Sequence, residues 1–184
     1  MMPRYLALLR GVNVGGRNKV AMADLRQLAE SLGHAEVTTY VQSGNLIFSA
    51  PAADTGALAD ALEQEITARL GVRSPVVVLS GAELTQAIAG NPFPDEPDPK
   101  RVHAVFCRGS LNPEARQAVE AAQRKSRDAG SADEVVVSGR TLYLHTPDGY
   151  GRSDLAAGLF RPGARVGGTA RNWVTVTRLM AMLG

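Results

Sequence analysis

A chain of 184 residues, 45% of them hydrophobic, has room for one large domain or two small ones and the composition of an ordinary globular protein. Its net charge of +2 excludes an overall field that would draw it onto nucleic acid or membrane, so anion binding would require local clusters of basic residues. The single cysteine, Cys107, excludes an intrachain disulfide and a cysteine-rich zinc site, and no run approaches the roughly 20 apolar residues of a membrane span.

The beginning of the chain does not resemble a signal peptide. Pro3 and Arg4 interrupt it, and the apolar run that follows them, from Tyr5 to Leu9, is short. We therefore expect a cytoplasmic protein that does not bind membranes.

The first half alternates strand-like and helix-like segments. Strands are predicted where apolar residues run together or flank turn residues, and helices where they recur every three or four positions. In chain order the predictions are a strand over 4–10, a helix over 21–32, strands over 37–41 and 46–48, a helix over 55–70, a strand over 76–79, and a short helix over 80–89 that opens on a capping box.

A connector and a second series of similar segments follow. Residues 91–100 contain four prolines and no periodicity, which is typical of a link between domains. The predictions beyond it are a strand over 102–107, a helix over 112–127, strands over 134–137 and 141–145, a short helix over 153–159, an irregular stretch over 161–171, and a last helix over 172–183.

The order of elements predicts the fold class. The first half follows the order β-α-β-β-α-β, and the second half repeats it at an offset of roughly 97 residues, which is the order of ferredoxin-like units. We therefore predict an α+β protein of two ferredoxin-like α/β plaits in tandem with a C-terminal helix. The expected domains are residues 1–95 and 96–184.

Several phrases of the sequence together resemble one family. They are LLRGVNVGGRNKV at 8–20, TYVQSGNLIF at 39–48, NPF at 91–93, GRS at 151–153 and ARNW at 170–173. In this order the chain resembles, from end to end, the bacterial family of unknown function called DUF1697. The resemblance implies a pair of ferredoxin-like plaits, and it implies no established activity, substrate or cofactor.

The first candidate site is the glycine-rich basic loop between the first strand and the first helix. Its glycines permit positive φ angles and close approach to a ligand, and its backbone N–H groups could form an anion-binding concavity. It is not a P-loop, because Val20 stands where a magnesium-binding Ser or Thr is needed. The alternative is a plain turn with solvated charges. Its candidate ligand-binding residues are Arg10, Asn13, Gly15, Gly16, Arg17 and Lys19.

Two further clusters could contribute to the same site. Gln42, Ser43 and Asn45 occupy a predicted hairpin turn, where Ser and Asn are also common for steric reasons. Arg152 follows a strand of the second half, and Arg171 with Asn172 would start the last helix, where anions are favoured. The alternative for the arginines is pairing with an acid such as Asp154. We predict that the two halves build one anion site.

The sequence signals for a catalytic constellation are weak, and the catalytic residues, if any, stay unassigned. His34, His103 and His145 are scattered, and a core or surface role suits them better than metal ligation. Asp95, Glu96 and Asp98 fall in the proline-rich connector, where solvated charges are expected.

The sequence thus favours a protein that binds a small phosphate- or carboxylate-bearing ligand. Nucleic acid is a less favoured partner, because the aromatic signature of RNA-binding plaits is absent. An enzyme acting on a phosphorylated or carboxylated metabolite and an assembly module remain alternatives. No cofactor, metal or oligomeric state is indicated.

Overall fold

The computed structural model describes residues 2–160 and 166–184, which pack as two compact units. The first unit comprises the residues up to Gln86 together with Arg178–Gly184, and the second comprises the described part of Ala87–Thr177. The domain limits 1–95 and 96–184 stay a prediction.

The first unit contains one antiparallel sheet in the order β2-β3-β1-β4. Its elements are β1 (Arg4–Leu9), α1 (Met22–Ser31), β2 (Ala35–Tyr40), β3 (Asn45–Ser49), α2 (Thr55–Leu70), β4 (Val76–Ser80) and most of α3 (Gly81–Ala89), whose residues after Gln86 belong to the second unit.

Burial of apolar side chains holds this sheet to its helices. Alternate residues of β1, such as Ala7 and Leu9, share a core with Leu28 of α1 and Leu62 of α2. Burying one such leucine contributes about 1.5–3 kcal/mol. The intervening residues of β1 are buried as well, which explains its uninterrupted apolar run.

Local signals set the helix ends. The Asp54 carboxylate accepts a hydrogen bond from the Ala57 N–H at 3.0 Å and begins α2, and Gly71 ends α2 in the left-handed conformation at φ +67°. The predicted capping box is confirmed at α3, where the Ser80 N–H donates to Glu83 Oε2 at 2.8 Å and the Glu83 N–H donates to Ser80 Oγ at 3.3 Å.

The second unit repeats the pattern with an antiparallel sheet in the order β6-β7-β5-β8. Its elements, with the helix that ends the chain, are β5 (Val102–Phe106), α4 (Pro113–Asp128), β6 (Glu134–Ser138), β7 (Thr141–His145), α5 (Asp154–Phe160), β8 (Thr169–Asn172) and α6 (Trp173–Leu183).

The prediction of an irregular stretch over 161–171 is wrong in its last part. Thr169–Asn172 is strand β8, and α6 begins at Trp173. Four residues with a single apolar side chain give no periodic signal, and pairing with β5 makes the segment a strand. Residues 161–165 lie outside the described residues. The α+β class is confirmed: the described part of the chain contains two four-stranded antiparallel sheets and six α-helices.

Candidate functional site

The glycine-rich loop of the first unit is a small hairpin that projects into solvent. The Arg17 N–H donates to the Val14 carbonyl at 3.1 Å, and the Asn13 N–H donates to the Asn18 carbonyl at 3.1 Å. Gly15 and Gly16 form the turn at φ +59° and +74°, which is the type I′ geometry that favours glycine. The hairpin therefore carries the exposed side chains of Arg17 and Lys19 on a backbone that is already hydrogen-bonded.

Asn13 attaches this hairpin to the rest of the unit. Its Nδ2 donates to the Val20 carbonyl at 2.9 Å and to the Gln42 carbonyl at 2.7 Å, and its Oδ1 accepts from the Val20 N–H at 2.9 Å. Because a side-chain amide has two N–H donors, both are used within the protein. Asn13 thus positions the loop, and it brings the first two predicted clusters together.

The turn between β2 and β3 packs directly under the loop. The Leu9 N–H donates to the Gly44 carbonyl at 2.9 Å. A Cβ on Gly44, whose φ is +75°, would lie 2.7 Å from both Leu9 Cβ and Val12 Cγ2, so only glycine fits there. The buried Asn45 side chain ties its own turn, since its Nδ2 donates to the Tyr40 carbonyl and to Ser43 Oγ, both at 2.9 Å.

Val41 adds backbone strain to the same turn. It is 52% exposed and has a φ of +50°. A β-branched residue in this region is a genuine outlier that costs of order 1–3 kcal/mol, and such outliers concentrate at functional sites.

The loop before β4 also reaches this end of the sheet. Ser74 Oγ donates to the Arg10 carbonyl at 2.8 Å, and the Arg10 N–H donates to the Pro75 carbonyl at 2.9 Å. The loop brings the exposed Arg73, which the sequence interpretation missed. Antiparallel pairing could have revealed it, because Leu9 at the end of β1 lies opposite Val76 at the start of β4.

The basic end is our name for the four cationic side chains that these loops carry: Arg10, Arg17, Lys19 and Arg73. The three segments involved, 10–20, 41–45 and 71–75, contain no aspartate or glutamate. No ion pair engages the four side chains within the described residues. The segments also lack His and Cys, so they offer no group that titrates near neutral pH. One carboxylate from outside these segments reaches this end of the sheet, because Glu63 Oε1 of α2 accepts from the Val76 N–H at 2.6 Å.

Arg152 of the second unit lies in a mixed-charge environment. It is exposed and lines a cavity of about 510 Å³ together with Lys125 and the carboxylates of Asp133, Asp148 and Asp154. An anion there would meet acids as well as bases, which weakens the case for Arg152 as an anion ligand within this cavity.

Arg171 is placed differently from the prediction, whereas Asn172 lies at the start of the last helix as predicted. Arg171 belongs to β8, is only 8% exposed, and donates from Nη1 to Thr169 Oγ1 at 2.7 Å and to the Ala170 carbonyl at 2.8 Å. Burial lowers the pKa of the Arg171 guanidinium to about 10. Asn172 directly precedes α6, and its Oδ1 accepts from the Thr175 N–H at 2.9 Å, so it caps that helix.

The connector is more ordered than its composition predicted. The Glu96 side chain is only 10% exposed, and its Oε2 lies 2.5 Å from Nε2 of His145. The Asp98 N–H donates to Glu96 Oε1 at 3.0 Å, and this bond, followed by the one to His145, holds the pKa of the Glu96 carboxyl below its usual value. The expectation of a solvated acid at Glu96 is wrong, because folding of the proline-rich segment brings it against β7.

The other two histidines are half-buried and stacked on aromatic rings. The His103 ring lies 4.2 Å from that of Tyr150, and the His34 ring lies 4.3 Å from that of Phe48, measured between centroids. Burial lowers both pKa values, that of His103 to about 4. Both are thus favoured as neutral rings.

Residues 2–160 and 166–184 were compared with the requirements of a metal site and of a membrane-spanning helix. No group of three or more His, Cys, Asp or Glu side chains there could hold a metal ion. No helix in this part of the chain is both long and apolar enough to cross a membrane.

Fold and site together define a mixed α+β protein with two four-stranded sheets and a basic loop cluster on the first unit. The chain belongs to the family described as "Protein of unknown function (DUF1697)", which matches residues 2–143. It is similar in fold to the conserved bacterial protein SP0830 from Streptococcus pneumoniae, with 24% sequence identity, a TM-score of 0.73 and 100% of each chain covered. No curated protein matches it.

Proposed function

We propose that the protein binds a small phosphate- or carboxylate-bearing ligand at the basic end of the first unit. The observation that carries this proposal is the convergence of Arg10, Arg17, Lys19 and Arg73 on loops that contain no acid. Neighbouring like charges repel one another, and a bound anion would relieve that repulsion.

The local backbone supports the proposal. The loops are held in place by Asn13, Gly44 and Ser74 before any ligand arrives, so less conformational entropy is lost on binding. Two charge-assisted hydrogen bonds at about 1.5–3 kcal/mol each would give a Kd between roughly millimolar and tens of micromolar. Titrations should cover that range.

Binding is favoured over the alternative of an enzyme acting on a phosphorylated or carboxylated metabolite. General acid–base catalysis needs a group with a pKa near the working pH, and the three segments of the basic end supply none. Nucleic acid is less favoured, because no aromatic residue occurs in these segments to stack on a base. An assembly role is the remaining alternative.

The finer description of the fold belongs to the same proposal. We interpret the two units as ferredoxin-like plaits in tandem, supported by the shared β-α-β-β-α-β order and by equivalent strand orders in the two sheets. A cytoplasmic location and the contribution of Arg152 and Arg171 to one joint anion site also stay predictions.

The test is a calorimetric titration of the protein with inorganic phosphate and with citrate. Lys19→Ala and Arg17→Ala should each weaken binding, and the loss should shrink at high salt because exposed charges are screened. The matched control is Arg124→Ala, which removes one exposed positive charge from α4 of the second unit. Equal weakening by the control, or unchanged affinity in both Lys19→Ala and Arg17→Ala, would refute the proposal.

A further inference from the structure

A second pocket lies within the second unit and takes no part in the basic end. It has a volume of about 340 Å³, at the lower end of the roughly 300–1,000 Å³ of small-molecule sites. Its walls include Asn91 and Phe93 of the connector and Trp173 at the start of α6. Two phrases that the basic end leaves unexplained, at 91–93 and 170–173, therefore meet at this pocket.

The pocket has apolar and aromatic walls with one fixed acceptor. Val102, Phe93 and Trp173 supply apolar surface, and Glu96 lines the same cavity. The Glu96 carboxylate is held by the Asp98 N–H at 3.0 Å and by His145 at 2.5 Å, while the Phe93 ring stacks on the His145 ring at 5.1 Å. The carboxylate is thus preorganised, and a carboxylate can accept about four hydrogen bonds.

Two side-chain donors accompany this acceptor. Asn91 Oδ1 accepts from the Phe93 N–H at 3.0 Å, which leaves the Nδ2 of the amide as its donor end. Within residues 2–160 and 166–184 neither Asn91 Nδ2 nor the indole N–H of Trp173 has a hydrogen-bond partner. Acceptors and donors therefore occur together with flat aromatic surface.

We propose that this pocket binds a flat, uncharged heteroaromatic compound of nucleobase size, with its N–H donors directed to Glu96 and its ring against Phe93 or Trp173. Every base has a flat π-face that can stack on an aromatic side chain. Guanine suits the site best, because its adjacent ring N–H and amino group present two donors to one carboxylate, and its carbonyl can accept from Asn91 or Trp173.

The ligand class follows from what the pocket disfavours. The Glu96 carboxylate, ionised at neutral pH because hydrogen bonds lower its pKa, disfavours a phosphate or carboxylate beside it, and the Arg101 guanidinium 4.0 Å from its Oε1 offsets part of that charge. A purely apolar compound would displace solvent from the remaining acceptor positions of the Glu96 carboxylate and offer no donor in return, which is costly. This site would therefore take a different class of ligand from the anion site proposed above.

The protein supplies its own probe, because Trp173 is its single tryptophan. The full chain is titrated with guanosine, adenosine, cytidine and uridine, and the fluorescence of Trp173 is followed. Guanosine should change it saturably and with the highest affinity of the four. Glu96→Gln should raise the Kd for guanosine by about tenfold or more, because an amide replaces the ionised acceptor.

Two further variants distinguish loss of the acceptor from a general change in charge. Glu120→Gln removes an exposed acid of α4 and should leave the guanosine affinity unchanged. Ala89→Leu places a larger side chain at the pocket wall, at the end of α3, and leaves the Glu96 carboxylate in the chain; it should weaken guanosine binding. Melting curves establish that each variant folds, and guanosine binding to Glu96→Gln is repeated by ligand-observed NMR if its melting temperature falls.

The outcomes separate this inference from the anion proposal. Lys19→Ala should bind guanosine as the parent does, and failure of phosphate to bind the protein leaves the guanosine result unaffected. The inference is overturned if no nucleoside gives a saturable change with the folded parent, or if guanosine binds Ala89→Leu and Glu96→Gln as tightly as the parent.

Discussion

Replacing His103 with phenylalanine should remove much of the acid sensitivity of the second unit. In the folded protein the His103 ring stacks on Tyr150, and its buried Nδ1 has no hydrogen-bond partner within the described residues. Burial lowers its pKa from the ordinary 6.5 to about 4. Phenylalanine keeps a flat ring beside Tyr150 and removes the titrating nitrogens.

The direction of this change in stability with pH follows from proton linkage. Below pH 6.5 the unfolded chain binds a proton at His103 that the folded chain does not bind until about pH 4, so the free energy of unfolding falls as the pH drops through this window. With these two pKa values, His103 lowers the free energy of unfolding by about 2 kcal/mol between pH 7 and pH 5. The interval from pH 7 to pH 5 lies above the pH at which most carboxyl groups titrate.

The assay is urea unfolding of the parent and of His103→Phe at pH 7 and pH 5, with circular dichroism as the readout. His34, whose pKa is also lowered by burial, contributes equally to both proteins and cancels in the comparison. Between pH 7 and pH 5 the free energy of unfolding should fall by about 2 kcal/mol less in the variant than in the parent. An identical loss in both proteins would show that the buried ring is not the source of the pH dependence.

The remaining predictions concern the basic end and a helix cap. Gly44→Ala should destabilise the first unit by about 2–3 kcal/mol, because the added Cβ would lie 2.7 Å from Leu9 and Val12. It should also weaken phosphate binding. Thermal melting measures the loss of stability, and calorimetry measures the loss of affinity. In Gly15→Ala no atom lies within 4 Å of the added Cβ, so the free energy of unfolding should fall by only about 1–2 kcal/mol, because of the positive φ at this position. An equal loss of stability in Gly44→Ala and Gly15→Ala would contradict the packing argument. Ser80→Ala should lower the free energy of unfolding by about 1 kcal/mol by breaking the capping box, and an unchanged urea midpoint would refute that role.

Local signals predicted most elements, and tertiary pairing determined those that were missed. The helix Thr55–Leu70 agrees with its predicted bounds, because its apolar periodicity is clear and a glycine ends it. Thr169–Asn172 was not, because a four-residue strand with one apolar side chain is specified by β5 alone. For the same reason Arg171, which was predicted at the start of a helix, lies in a strand and is buried.

The candidate site was partly visible in the sequence for a similar reason. Glycine and asparagine marked the loops, but the bond from Asn13 to the Gln42 carbonyl joins residues 29 positions apart and has no local signature. Arg73 was missed because its loop is ordinary in composition and becomes relevant only when β1 pairs with β4. Glu96 was misassigned because a proline-rich segment was expected to lie in solvent, whereas His145 and Asp98 hold its carboxylate.

The two proposed sites have opposite electrostatic character, and this gives a test of whether they communicate. The basic end attracts anions, whereas Glu96 favours donors and repels anions, so no single small ion satisfies both. By linkage, if phosphate changes the affinity for guanosine by some factor, guanosine must change the affinity for phosphate by the same factor. Independent sites predict a factor of one, measured as equal guanosine Kd values in the presence and absence of saturating phosphate. If the factor differs from one in the parent and returns to one in Lys19→Ala, the basic end regulates the pocket. If the factor differs from one in both proteins, the phosphate acts outside the basic end.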